Sequence, residues 1–194
     1  MKKILLVIAL VFSSVYLCAN DQETIARYYR QLKRLNEDQL KIMLFSYKVG
    51  LEYDLGYALT AVAWKESNFG KYLINISDGK EGAYGVYHIL LDTAASRNKL
   101  KTAWDRSRYA ERLIFEIDLC ADEAITELLY WKKYFKRTST PWKAMFAGYN
   151  AGSKGMKSVA GKAYADDAIL RVKALQWYFK EKGLEERLSA TKAK

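Results

Sequence analysis

Apolar and polar residues alternate along most of this chain with the three- and four-residue rhythm of helices. Ile25, Tyr28, Tyr29 and Leu32 recur at that spacing, with Arg27 and Arg30 between them. Asn36 can cap a second helix with Gln39 at the capping-box position, and Leu40, Met43, Leu44 and Tyr47 form its apolar stripe. Gly50 ends or bends that helix, and Asp54 can cap a third, which is apolar through Ala58, Leu59, Ala61, Val62, Ala63 and Trp64. This third helix ends at Asn68-Phe69-Gly70, where Gly70 suits a left-handed cap. A long loop follows, kept free of Cβ crowding by Gly70, Gly79, Gly82 and Gly85. Asp92 can cap a short helix through Ala94 and Ala95, residues 106–115 are polar with a weak pattern, and residues 118–135 are strongly helical. Pro141 after Thr140 marks the first turn of another helix, which the pattern breaks at Gly148-Tyr149-Asn150-Ala151-Gly152. Residues 153–161 read as a loop of small side chains and residues 164–180 as a final amphipathic helix, with a frayed lysine-rich end. The leucine and aromatic stripes are core packing. The expectation is a mainly α single domain over residues 55–182, preceded by helices over residues 20–54 and followed by a basic tail, residues 183–194. A Gly-rich loop or small β-hairpin lies beside the third helix.

The first 19 residues change the picture of where this chain acts. Met1-Lys2-Lys3, an apolar core and small residues before Ala19 have the pattern of a secretory signal peptide, with an exported, periplasmic and soluble product. Cys18 invites a lipid anchor, but Val15-Tyr16-Leu17 lacks the small residues usual before a lipidated cysteine. Cleavage after Ala19 leaves Cys120 as the one cysteine, so no internal disulfide is expected and the core must supply stability. It also leaves 30 basic against 22 acidic side chains. An exported basic protein seldom meets nucleic acid; an anionic envelope polymer or lipid head group fits the compartment better. With His88 and Cys120 as the one histidine and the one cysteine of the mature chain, no transition-metal site is expected, and no cofactor motif is visible.

Candidate chemistry gathers at the end of the third helix. Glu66 sits in its last turn, where poor solvation and the negative end of the macrodipole both favour the protonated form. That makes it a candidate general acid, against the plainer reading of a surface glutamate paired with a lysine.

Three signatures follow one another in fixed order. They are Glu66-Ser67, then Gly82-Ala83-Tyr84-Gly85-Val86-Tyr87-His88-Ile89, then Ala147-Gly148-Tyr149-Asn150-Ala151-Gly152. Together they resemble the lysozyme-like lytic transglycosylases of the soluble-lytic-transglycosylase type, whose motifs are Glu-Ser, Gly-x-x-Gly-Leu-Met-Gln-Ile and Ala-Tyr-Asn-x-Gly. The resemblance spans residues 55–179. It implies cleavage of the β-1,4 bond between N-acetylmuramic acid and N-acetylglucosamine in peptidoglycan, with formation of 1,6-anhydromuramyl ends. It implies that Glu66 is the catalytic acid and then base, and that Ser67 hydrogen-bonds Glu66 or the substrate's N-acetyl group. It implies that Gly85 lets the glycan approach bare backbone, that the Tyr149 hydroxyl lies near the glutamate and sugar, and that Asn150 holds loop backbone. The chain departs from the pattern at Val86, Tyr87 and His88. Tyr87 can stack on a sugar face or fill the core. His88, in place of a glutamine, either lines the cleft as a titratable group or is a hydrogen-bonded structural histidine.

Two other functions compete. A lysozyme-type hydrolase would draw a second carboxylate from Asp78 or Glu81, although acidic residues in such loops are usually solvated. An inactive glycan-binding or assembly factor would keep the fold without the chemistry. Small exported enzymes of this family often open the wall for a secretion or flagellar apparatus, so such a machine is an expected partner beside the glycan strands, with the protein itself a monomer.

Overall fold

The computed structural model describes residues 20–190. The expected signal peptide and the last four residues of the expected tail lie outside them. The described chain packs as two compact units, one holding residues 35–172 and the other residues 20–34 with residues 173–190.

In the smaller unit, helix α1 (residues 20–32) buries the expected stripe Ile25, Tyr28, Tyr29 and Leu32. The Tyr29 ring stacks on Trp177 with centroids 4.2 Å apart, and its hydroxyl donates to Glu181. Both partners belong to the last turns of α8 (Val159–Lys182). Helix α9 (Leu184–Ala190) occupies part of what reads in sequence as a tail.

The larger unit begins with α2 (Glu37–Gly50), whose N-terminus carries the full reciprocal capping box of Asn36 and Gln39. A 3-10 turn, Leu51–Tyr53, leads to α3 (Gly56–Ser67). Asp54 does not cap α3. It ends the 3-10 turn in the left-handed region (φ 56°), leaves Leu55 at the N-cap, and its carboxylate accepts from Lys132 Nζ at 3.0 Å. Helix α3 is buried nearly all round, as its sequence demands, so it forms the centre of the unit.

At the far end of α3, Asn68 rather than Gly70 takes the cap position. Asn68, Phe69 and Gly70 have φ of 51°, 55° and 81° in succession, which reverses the chain sharply. The following segment folds into three two-residue strands in the antiparallel order β1 (Ile74–Asn75), β2 (Ala83–Tyr84) and β3 (Ile89–Leu90). Ile74 pairs with Tyr84, and Ala83 with Leu90.

Helix α4 (Leu91–Arg97) starts one residue before Asp92, whose carboxylate accepts from the Lys80 N–H instead of capping. The polar stretch is a full helix, α5 (Ala103–Phe115), with a Thr102–Asp105 capping box and a narrow buried stripe of Tyr109, Ala110 and Leu113. Helix α6 (Ile117–Tyr134) matches its pattern, and α7 (Pro141–Ala151) starts at Pro141. The break expected at Gly148 is absent: α7 continues to Ala151, a 3-10 helix covers Gly152–Lys157, and α8 begins at Val159. No helix among the described residues is long and apolar enough to cross a membrane.

Candidate active site

Glu66 comes from the last turn of α3, and its side chain keeps 16 % of its exposure. Two side chains from distant parts of the larger unit converge on its carboxylate. The Tyr164 hydroxyl, from the first turns of α8, donates to Oε1 at 2.5 Å, and His88 Nδ1 lies 3.5 Å from Oε2. Burial, then the Glu66 charge, holds the Tyr164 pKa well above its ordinary value, so its proton stays on as a donor. Lys65, next to Glu66, binds Asp167 at 2.6 Å and covers the Tyr164 ring at 4.7 Å, and Arg171 also donates to Asp167 at 2.9 Å. These contacts fix the start of α8 on α3 and so fix the Tyr164 hydroxyl on Glu66.

His88 is the last residue of the turn from β2 to β3 and has φ 47°. A left-handed residue other than glycine is uncommon, and it persists where surrounding contacts hold it. Here the contacts are the Tyr72 carbonyl, 2.9 Å from Nε2, and Glu66. Burial pulls the imidazole pKa down, but the hydrogen bonds to Glu66 and Tyr72 and the charges of Glu66 and Asp78 lift it by more, to a net rise above 6.5. Of the two readings of His88, the ring is both hydrogen-bonded and part of the cleft.

That cleft is lined by His88, Ile89, Leu90, Thr93, Arg97, Glu123, Glu127 and Tyr149. It shares Thr93, Arg97 and Glu127 with a second, more open groove that extends to Tyr130 and Trp131. A polar network built around the buried Glu123 forms part of the lining. Arg97 donates to both Glu123 and Glu127, and Glu123 also accepts from Asn98 at 2.7 Å and Tyr109 at 2.6 Å. Glu127 accepts from the Trp131 indole at 2.7 Å. A buried carboxylate with this many donors is stable in place, whereas one stripped of them is costly.

Tyr149 lies in the last turn of α7 and donates to the Tyr87 carbonyl at 2.8 Å, which ties α7 to the β2–β3 turn. Burial and then the Glu66 charge raise its pKa well above the ordinary value, so it too keeps its proton. Asn150, on the same turn, is exposed. Tyr87 is wholly buried with its hydroxyl 2.8 Å from Ser46 Oγ, so it fills the core and does not offer a face to a sugar.

Ser67 and Gly85 serve the architecture around Glu66. The Ser67 hydroxyl is buried, donates to the Ala63 carbonyl at 3.1 Å and accepts from the Gly70 N–H at 2.8 Å, instead of meeting Glu66. It thereby holds the reversal that follows the glutamate. Gly85 has φ 79°, and a Cβ there would stand 2.2 Å from the Leu113 carbonyl oxygen and 2.4 Å from Cys120 Sγ. The interior, not the cleft, fills the space its missing side chain leaves. Of the loop carboxylates, Glu81 is paired with Arg106, and Asp78 is exposed. Among the described residues, no group of three His, Cys, Asp or Glu side chains is placed to hold a metal ion.

Tyr164, Arg97, Glu123 and Glu127 are the site residues that sequence reasoning missed. Tyr164 is one of 15 tyrosines and lies 98 residues from Glu66, with no local signal to separate it from packing.

A core helix that delivers a carboxylate beside a small antiparallel sheet, within a mainly α frame, defines the lysozyme-like class of fold. The Transglycosylase SLT domain family model matches residues 52–171, more than half of the chain, and the protein belongs to that family. Neither a curated protein nor a solved structure matches it.

Proposed function

We propose that the protein is a peptidoglycan lytic transglycosylase that cleaves the β-1,4 bond between N-acetylmuramic acid and N-acetylglucosamine and leaves a 1,6-anhydromuramyl end. The observation that carries this reading is the Glu66 carboxylate held between the Tyr164 hydroxyl and His88, at the end of a buried helix beside a groove. Its membership of the SLT family supports the substrate class. An exported protein acting in the periplasm fits that substrate.

Glu66, protonated, gives its proton to the glycosidic oxygen as the C1–O bond breaks. The substrate's own N-acetyl oxygen stabilises the positive charge at C1, so no protein nucleophile is required. Glu66, now a carboxylate, takes the proton from the C6 hydroxyl, O6 bonds to C1, and the acetamido group is released. The enzyme ends as it began, and no water is consumed. The pre-positioned hydroxyl replaces a bimolecular attack by water, an advantage of several kcal/mol where alignment is good. The Tyr164 hydrogen bond stabilises the carboxylate form that appears midway. Glu81, already paired with Arg106, is poorly placed to activate a water in the manner of a hydrolase.

Mass analysis of products from purified peptidoglycan tests the reading. Anhydromuropeptides are expected; reducing ends would replace it with hydrolysis, and sacculus binding without products would replace it with a glycan-binding role. Tyr164→Phe should lower the initial rate roughly 10–100-fold, the equivalent of a lost hydrogen bond to a charged group, measured below the variant's own melting temperature so that the accompanying loss of stability does not enter. A rate within two-fold of wild type would remove Tyr164 from the mechanism.

A further inference from the structure

His88 is the single histidine of the chain, and its two ring nitrogens face groups of different character. Nε2 lies 2.9 Å from the Tyr72 carbonyl, which can only accept, so Nε2 carries a hydrogen in either charge state of the ring. The neutral ring therefore presents a bare Nδ1 to Glu66 Oε2, 3.5 Å away. A bare nitrogen facing an ionised carboxylate would set two lone pairs against each other. With the imidazole 8 % and the carboxylate 16 % exposed, water does little to relieve that conflict. A proton between them relieves it fully.

We propose that Glu66 and His88 hold one proton in common and that His88 is the positioning residue that loads it onto Glu66 for the acid step. This rests on Glu66 as the catalytic group. In the empty site the proton resides on Nδ1, opposite a carboxylate. When a glycan covers the part of the Glu66 carboxylate that is still exposed, the uncharged arrangement gains, and the proton passes from Nδ1 to Oε2. From Oε2 it goes to the glycosidic oxygen. The proton later taken from the C6 hydroxyl returns to the pair, so each cycle closes with one shared proton and two heavy-atom acceptors unchanged.

The surroundings leave Glu66 as the partner. Asp78, from the connection between β1 and β2, adds a negative charge that favours the proton on the ring. From α4 and α6, Arg97 faces the same cleft bound to Glu123 and Glu127, whose two carboxylates more than balance its charge. Tyr149 from α7 and Tyr164 from α8 keep their protons and donate to the Tyr87 carbonyl and to Glu66. The left-handed backbone at His88 aims the ring at both Tyr72 and Glu66 at once.

Because there is one histidine, nitrogen-15 spectra of the uniformly labelled protein contain one pair of imidazole signals, and no substrate is needed to read them. Nδ1 should be the nitrogen that titrates, with Nε2 protonated throughout and a midpoint above 6.5. In Glu66→Gln, which is isosteric, the midpoint should fall by about one unit or more. Equal midpoints in the two proteins, or titration at Nε2, would overturn the proposal whether or not the protein proves to be a transglycosylase. His88→Gln restores the residue of the family motif and keeps an amide donor for Tyr72. It should shift the basic limb of the pH–rate profile to lower pH, because no stored proton sustains the acid form; an unmoved limb would overturn the role in loading.

Discussion

Replacing Glu66 with glutamine is expected to slow the release of anhydromuropeptides from purified peptidoglycan by roughly 10²–10⁴-fold, the range over which general acid–base groups act. The substitution keeps the size of the side chain. Its amide oxygen can still accept from Tyr164, and the Lys65–Asp167 contact that fixes α8 on α3 is untouched. In the proposed mechanism, what disappears is the ability to give a proton to the leaving oxygen and to take one from the C6 hydroxyl. Both steps of the cycle are lost with one atom exchange, while the thermal melt should move little. A variant rate within a few-fold of wild type, measured by chromatography of soluble products, would show that Glu66 does not perform the chemistry.

Gly85→Ala should have the largest effect on stability, about 2–5 kcal/mol, from left-handed backbone strain and from overpacking together. The obstacles are a backbone carbonyl of α5 at 2.2 Å and the buried sulfur of α6 at 2.4 Å, neither of which is the movable end of a flexible side chain. Gly183→Ala supplies the control, since Gly183 has φ 59° but nothing within 4 Å of an added Cβ. It should cost only the strain, about 1–2 kcal/mol. Urea melts of the two variants separate the contributions. Equal losses would mean that the turn carrying His88 yields to the added methyl group and that packing behind Gly85 is looser than the contacts require.

Local features of this chain were legible in sequence where the deciding interaction is itself local. The Asn36–Gln39 capping box, the Ile25–Leu32 stripe and Pro141 at a first turn each involve residues three or four apart. The caps assigned to Asp54 and Asp92 failed because each carboxylate found a partner outside its own helix, Lys132 for one and the Lys80 N–H for the other. Residues 106–115 looked weak because only a narrow stripe of α5 is buried and the capping box supplies what apolar area does not. In the site, Glu66, His88 and Tyr149 could be found from short motifs. Tyr164 and Glu123 could not, because a hydroxyl and a carboxylate become partners there only after α8 meets α3 and α4 meets α6. Ser67 shows the converse: its residue type was visible, but its hydroxyl turned back to the chain reversal.

The thiol beneath the Gly85 turn gives the fold a clock. Cys120 has no exposure, burial pushes its pKa up to about 12, and its sulfur occupies the space behind Gly85. A water-borne alkylating reagent can reach it only while the Gly85 turn is lifted off α5 and α6. If closing is faster than reaction, the labelling rate at Cys120 equals the intrinsic thiol rate multiplied by the fraction of time the turn stands open. Labelling at a series of denaturant concentrations would thus tell whether that turn opens alone or only when the whole unit unfolds. A glycan held in the cleft, bound to the closed form, would slow the same clock by a factor that reads its occupancy.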